Sequence, residues 1–288
     1  MKFKTNSYHN NLLMDVERIA FFQEALDILN SRKKKINIAY DLGSGSGILA
    51  SLASKISKKV IAIEKDHLIC KMARTNLKSL DNVEFIWEDV LKYKFNQKAD
   101  LIICEALDTG LIDEEEVLIL NHAINSLNDD GIIIPDSVIN IIEPVNMDHP
   151  LIHYEDVEYS ISNIDTNESN KKQYNLKINK SKYKHKILGN YKLLNSINFY
   201  KLNDPKVNEK IKFKINTNGC FNGLKIRTFT VFNNQLIISQ TPMLNPPLFI
   251  PIDEIEVKKG DEIKVNIKYQ MGGGLETIDV SYNGDYNE

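Results

Sequence analysis

The feature that most limits what this chain can fold into is the run Asp41-Leu-Gly43-Ser44-Gly45-Ser-Gly47, set between an apolar segment and a helical one. Glycines at that density let the main chain turn sharply and come within contact distance of a ligand, and the N-terminus of the helix that follows favours polar or anionic groups. The short apolar run INIAYDL (36–42) leads into the turn and the helical ILASLASKI (48–56) leads out of it. VIAIE (60–64), a helix over 66–80, VEFIW (83–87), ADLIIC (99–104), a helix over 114–128 and GIIIP (131–135) continue the alternation. Short apolar strands alternating with helices predict a parallel sheet covered on both faces. Ahead of it, residues 12–30 carry apolar positions at helical spacing and predict one amphipathic helix.

Near residue 136 the pattern changes. LKIRTFTVF (224–232), QLIIS (235–239), EIEVKK (254–259) and DEIKVNIKY (261–269) alternate in strand fashion between Asn, Gly or Pro turns, which predicts an antiparallel β-sandwich or barrel. The chain therefore divides into a helical segment (1–30), an α/β unit (31–136) and a β unit (137–288). The polar stretch 156–185 reads as an exposed arm or a long flexible loop.

Composition narrows the function. A hydrophobic content of 42% and a charged content of 26% are those of a globular protein, and the formal net charge of -3 gives no overall basic field for nucleic acid. Cys70, Cys104 and Cys220 are too far apart for a disulfide framework or a metal cluster, so a reduced, cytoplasmic setting and no metal are expected. No stretch approaches the roughly 20 apolar residues of a membrane span.

The glycine run departs from the dinucleotide-binding pattern G-x-G-x-x-G, because Ile48 stands at the last glycine position. G-x-G-x-G after an acidic strand end instead resembles motif I of class I methyltransferases, which implies S-adenosylmethionine as cofactor and S-adenosylhomocysteine as product. The next strand ends in Glu64, where a carboxylate can take both ribose hydroxyls. The third strand is followed by Glu88 and Asp89, placed either to accept from an adenine amino group or to be solvated loop acids. Asp41, Gly43, Ser44, Gly45, Gly47, Glu64, Glu88 and Asp89 are thus the candidate cofactor contacts.

The fourth strand ends in Cys104-Glu105-Ala-Leu-Asp108-Thr-Gly-Leu-Ile-Asp113-Glu114, at the edge where open α/β sheets bind ligands. Glutamates nine residues apart lie on the two sides of a hairpin-like loop and converge on one point. The competing reading of Glu114 is an acid favoured at the start of a helix. The double-glutamate spacing resembles the protein arginine methyltransferase family, and the wording E-A-L-D-T-G-L-I-D-E is similar to its monomethylating branch. DLGSGSGIL, VIAIE, LLMDVER (12–18) and GIIIPD (131–136) resemble further segments of that family, and GLKIRTFTVF and VKKGDEIKV fit its β-barrel loosely. The resemblance implies a Rossmann-like class I methyltransferase domain followed by an antiparallel β-barrel domain. It implies that Arg18 grips the methionyl carboxylate, and that Glu105 and Glu114 are catalytic, clamping the guanidinium of a protein or peptide substrate. It also implies a head-to-tail homodimer, with 156–185 as the arm. Where the family carries a Thr-His-Trp loop, this chain has Pro242-Met-Leu-Asn245-Pro246-Pro247, without histidine or tryptophan. RNA or a small metabolite is the alternative acceptor, and a non-catalytic adaptor the third reading.

Several tempting features read as bland. Asn245-Pro-Pro lies far from the fourth strand, where amino-group nucleic acid methylases carry such a motif, and reads as a loop. His149 and His153 read as a surface pair, and Met271-Gly272-Gly-Gly274 as a hairpin turn between the last two strands.

Overall fold

A computed structural model describes residues 5–155, 159–163, 174–178 and 183–285. The remainder of the predicted arm lies outside the described residues. The predicted N-terminal helix is two, α1 (Ser7–Met14) and α2 (Val16–Ser31). Asp15 breaks it: its backbone leaves helical geometry at ψ 85, and its carboxylate caps α2 by accepting from the Arg18 amide at 3.1 Å.

The α/β unit then runs β1 (Ile36–Leu42), α3 (Ile48–Ala53), β2 (Ser57–Glu64), α4 (His67–Asn76), β3 (Val83–Trp87), β4 (Ala99–Cys104), α5 (Glu116–Ala123) and β5 (Leu127–Ile134). Its five strands pair in parallel in the order β3-β2-β1-β4-β5, as the alternation predicts. The helix predicted over 114–128 is shorter at both ends. The amides of Ile112, Asp113 and Glu114 are taken by the Asp108 carboxylate instead of entering a helix. At the other end Leu127 already pairs with Ala99 in the sheet. Phe21, Phe22, Ala25, Leu26 and Leu29 of α2 bury themselves with Leu49 of α3, Leu101 of β4 and Phe232 on one face of the sheet.

From Ser137 onward the described strands pair antiparallel, again as predicted. They are β6 (Ser137–Met147), β7 (His153–Tyr154), β8 (Tyr159–Asn163), β9 (Tyr174–Ile178), β10 (His185–Ile187), β11 (Lys192–Asn198), β12 (Lys206–Lys214), β13 (Gly219–Phe232), β14 (Leu236–Ile238), β15 (Leu248–Val257), β16 (Glu262–Gln270) and β17 (Asp279–Asp285). One sheet has the path β10-β6-β13-β15-β7, with β11 also on β6 and β14 on β13; β12-β16-β17 form a second and β8-β9 a third. The glycines after Met271 turn the chain from β16 toward β17. His149 and His153 lie with ring centroids 4.6 Å apart, and His153 also stacks on Phe249. One core cluster runs through both halves: Leu107, Leu111, Ile112 and Val117 share it with Ile142, Leu224, Ile226 and Tyr269.

No helix among the described residues is long and apolar enough to cross a membrane. Cys70 and Cys104 are buried free thiols and Cys220 is a half-buried one.

Phe22 is fully buried where α2 meets the sheet. Phe22→Ala is expected to lower the unfolding free energy by about 3–5 kcal/mol, read from the urea midpoint at unchanged m-value. A loss below about 1 kcal/mol would mean that α2 is not part of the cooperative core.

Candidate functional site

The parallel strands deliver their last residues to one edge, and there a cavity of about 300 Å³ opens. Arg18, Gly43, Ser44, Gly45, Glu64, Asp89, Glu105 and Glu114 line it. Three candidates do not. Glu88 is exposed, with only its amide engaged, donating to the Glu64 carbonyl at 3.1 Å. Gly47 begins α3 at φ 85, and a side chain there would meet Leu77 and Phe85 rather than the cavity. Asp41 lies beneath the glycine turn at 1% exposure.

The turn is built for close approach. Gly43 and Gly45 stand at φ 73 and 51, and a Cβ on Gly45 would come within 3.0 Å of the His9 ring. The Gly45 amide donates to Glu64 Oε2 and the Asp66 amide to Glu64 Oε1, both at 2.8 Å. Those bonds aim the carboxylate into the cavity and leave each oxygen a lone pair for a ligand hydroxyl. Buried polar atoms without partners mark the same wall: Ser44 Oγ and Arg18 Nε, with Asp41 Oδ2 orphaned beneath the turn. Native interiors rarely leave such atoms orphaned, and a polar ligand in the cavity would satisfy the two in its wall. Burial pushes the Asp41 carboxyl up to about 7, although the Ala50 amide favours its anion.

Arg18 is nearly fully buried, and its guanidinium is seated on Glu105 Oε2. Burial alone would lower its pKa, but the Glu105 carboxylate outweighs that and holds the group above its ordinary value. Sequence resemblance assigns Arg18 to a ligand carboxylate; the partner the structure supplies is Glu105. Glu114 faces the same cavity, and its carboxyl is pushed upward by burial and then by the Glu105 charge. Carboxylates dominate the wall: Glu64, Asp66, Asp89, Glu105, Glu114 and Glu115, against Arg18 and Lys65. Such a site favours a cation.

The loop bearing both glutamates is held by carboxylates of its own. Asp108 accepts from the amides of Ile112, Asp113 and Glu114 at 3.1–3.2 Å and from the Tyr154 hydroxyl at 3.0 Å. Glu116, fully buried in the first turn of α5, accepts from the Ala106 amide at 2.8 Å. Asp108 thus holds the main chain at Glu114, and Glu116 holds it beside Glu105. Burial pushes Asp108 up to about 6 and Glu116 up to about 8, their amide donors opposing the rise.

The β half completes the tether. The Gly110 amide donates to Thr228 Oγ1 at 2.8 Å, Thr228 in turn donates to Asn140 Oδ1, and Asn140 donates to Asn195 Oδ1 at 2.7 Å. The Thr109 hydroxyl donates to the Pro246 carbonyl at 2.6 Å, and the Gly272 and Gly274 amides donate to the carbonyls of Leu111 and Ile112, both at 3.0 Å.

Several wall residues escaped the sequence reading. The Met243 amide donates to Asp15 Oδ2 at 2.9 Å, and the Thr241 hydroxyl donates to the same oxygen, which swings the loop containing Asn245-Pro-Pro onto the cavity with Met243 in its wall. The resemblance set Pro242-Met-Leu-Asn245 at the family's Thr-His-Trp loop but did not single out Met243 as a wall residue, because its place depends on a partner at the other end of the chain. Tyr8 and His9 of α1 also line the cavity, with burial pushing His9 down and Tyr8 up. Among the described residues no group of three or more His, Cys, Asp or Glu side chains is placed to hold a metal ion.

Known proteins resemble this chain in sequence and in fold. Residues 2–116 match the family described as ribosomal RNA adenine dimethylase. Over nearly its whole length the chain is similar to an uncharacterized protein of Methanothermobacter thermautotrophicus, at 38% identity covering 98% of this chain and 99% of that one. An uncharacterized protein of Methanocaldococcus jannaschii is 34% identical, with 98% of each covered. A ribosomal protein L11 methyltransferase of Caldanaerobacter subterraneus is 32% identical over 40% of this chain and 36% of its own. Among solved structures, the Trypanosoma brucei PRMT1 enzyme-prozyme heterotetrameric complex with AdoHcy superposes with a TM-score of 0.76 over 98% of this chain and 96% of that one, at 17% identity. That likeness is one of fold, and it spans both the parallel and the antiparallel halves.

Glu116 retains a proton in the fold that the unfolded chain releases in the ordinary carboxylate range. Its contribution to stability is therefore full at acid pH and is lost as pH rises toward about 8. The melting temperature of the wild type should fall over that window, and Glu116→Gln, which keeps an acceptor for Ala106, should flatten the fall. Parallel curves for the two proteins would show that Glu116 does not titrate there.

Proposed function

This chain belongs to the family of the two archaeal proteins and is a class I S-adenosylmethionine-dependent methyltransferase; from that premise we infer that its acceptor is the guanidinium of a protein or peptide arginine. One observation carries the reading: Glu105 and Glu114 share one cavity, and Glu105 already holds a guanidinium there, that of Arg18. The carboxylate is thus oriented and buried in the way a second, incoming guanidinium needs for charge-assisted hydrogen bonds.

When bound, S-adenosylmethionine supplies an electrophilic methyl on a sulfonium. Ser44, the glycine turn, Glu64 and Asp89 line the space suited to its adenosyl portion, and the methionyl carboxylate is the group that would draw Arg18 away from Glu105. A guanidinium is a weak nucleophile because its lone pairs are delocalised and its pKa exceeds about 12. Glu105 and Glu114, on opposite sides of the loop, hold positive charge toward the two flanking nitrogens. The third nitrogen then recovers the lone-pair character that attack on a methyl group requires. Exchange of a proton on that nitrogen for the methyl that the bound cofactor would supply leaves one proton to be taken up. Glu114, whose carboxyl is pushed upward by burial and then by the Glu105 charge, is suited to accept it. Met243 stands in the wall as the β half's contribution and bears on which acceptor enters.

Incubation with methyl-labelled S-adenosylmethionine and a host lysate, followed by amino-acid analysis, should place label in methylarginine. Glu105→Gln and Glu114→Gln should each cut that label by roughly 10²–10³-fold, with cofactor binding preserved for Glu114→Gln. Label that survives protease but not nuclease, or that appears on another side chain, would overturn the arginine reading and leave the methyltransferase assignment intact.

A further inference from the structure

We propose that Tyr154 is a positioning residue of the methyl-transfer site: its hydroxyl, brought in from the β half, fixes the Asp108 carboxylate and through it the main chain at Glu114. The hydroxyl donates to Asp108 Oδ2 at 3.0 Å. Asp108 is buried and collects three further donors, the amides of Ile112 and Asp113 on Oδ2 and that of Glu114 on Oδ1. Those three belong to the loop itself and travel with it, so they shape the loop without locating it. Tyr154 brings the fourth donor from outside. The inference rests on the reading of Glu105 and Glu114 as the pair at the acceptor, and it holds for any acceptor they serve.

The strand that presents Tyr154 is itself firmly placed. β7 pairs with the start of β15, His153 opposite Phe249 and Tyr154 opposite Leu248. Successive side chains on a strand point to opposite faces. On one face His153 stacks on Phe249, ring centroids 5.0 Å apart and 6° from parallel. On the other, Tyr154 packs against the core shared by the two halves and reaches the catalytic loop. The Glu155 amide then donates to the Pro247 carbonyl at 2.7 Å, one residue from Pro246, whose carbonyl takes the Thr109 hydroxyl. Asn245-Pro246-Pro247-Leu248, a plain loop on the sequence reading, is thus the piece that β7 and the catalytic loop both grip.

A phenol suits this position. Burial and then the Asp108 charge push the Tyr154 hydroxyl upward from its ordinary value, so it keeps its proton and remains a donor. Asp108 is the partner that titrates: burial pushes it up to about 6, and Tyr154 is among the donors that oppose the rise. The titratable groups facing it are Asp113 and Glu114 on the loop, Tyr154 on β7 and Tyr269 on β16. Once Asp108 takes a proton, one of its oxygens becomes a donor and no longer accepts from every amide that faces it. The grip at Glu114 then loosens. Removing the Tyr154 hydroxyl takes away a donor that favours the anion, so the same loosening arrives at higher pH. A ring that served only as packing would leave that titration alone. The bonds from Thr109 to Pro246 and from Gly110 to Thr228 still hold the loop to the β half when the hydroxyl is gone.

The test is Tyr154→Phe in the full-length protein, which keeps the ring and removes the hydroxyl. Initial rates of methyl-label transfer from saturating S-adenosylmethionine into a fixed quantity of host lysate are followed over a pH series. The expected result is a rate lowered about ten- to a hundredfold and an acid limb moved up by about one pH unit. The dissociation constant of S-adenosylhomocysteine, read by calorimetry, should not change. In an Asp108→Asn background the same substitution should move no acid limb, because the titrating group is gone. Hydrogen exchange supplies a readout that needs no acceptor and decides the matter if the lysate takes no label: the amides of 112–114 should lose protection about tenfold in Tyr154→Phe, while β4 and α5 keep theirs. Glu114→Gln, run alongside, tests the parent reading, and full activity in that variant would sink the double-glutamate assignment together with this role. With Glu114→Gln impaired, the role of Tyr154 alone is overturned by unchanged exchange at 112–114, by an acid limb identical to that of the wild type, or by a loss of protection spread over the whole core.

Discussion

A loop that carries acidic side chains into a protein interior must satisfy its own amides first, and here the loop between β4 and α5 does so with two further carboxylates. Asp108 reaches forward to the amides of 112–114, and Glu116 reaches back to Ala106. Each acid thus holds the main chain next to the glutamate on the opposite arm. Water could satisfy those amides only if the loop were exposed, and an exposed loop would lose the low dielectric that makes its charges effective. The conformation carries strain: Leu111 is left-handed at φ 59, which costs a residue with a Cβ about 1–2 kcal/mol. The Gly272 amide on the Leu111 carbonyl, Thr228 on Gly110 and Pro246 on Thr109 hold it there. All three come from the β half.

That dependence explains why the two halves share one core. The antiparallel sheets act as the mould for the catalytic loop, and Asp15 extends the same tie to the N-terminal helices. One of its oxygens starts α2 at Arg18, and the other anchors the loop bearing Met243. A single carboxylate therefore sets Arg18 and Met243 into the same cavity from opposite ends of the chain.

Much of this was legible in the sequence, element by element. The INIAYDL, VEFIW and ADLIIC strands begin and end where their apolar runs do; ADLIIC, inside the sheet, is buried almost throughout, whereas VEFIW lies at the sheet's edge and exposes Glu84 and Trp87. The glycine turn, Glu64 and Asp89 reach the cavity because strand ends in a parallel sheet share one edge. The failures have equally specific causes. Helical periodicity does not register a break such as Asp15, which caps α2 at Arg18 with one oxygen and is held by Thr241 of the β half through the other. The start of α5 was misplaced because Asp108 competes for the amides that a helix would have used. Glu88 and Asp89 are adjacent and chemically alike, and only the direction of the chain after β3 separates the exposed acid from the one in the cavity.

The sequence by itself determined the parallel sheet, the antiparallel unit that follows it, and the class of cofactor turn between β1 and α3. These rest on periodicity and on glycine's backbone freedom, which are properties of neighbouring residues. Only the tertiary structure decided that Arg18 would sit on Glu105, that Asp108 and Glu116 would hold the two arms of one loop, that Met243 would enter the cavity wall, and that Tyr154 would reach Asp108. Each of those is an encounter between residues distant in sequence or across a loop or ladder, fixed by register and burial, and charges respond to distance in space rather than to position along the chain.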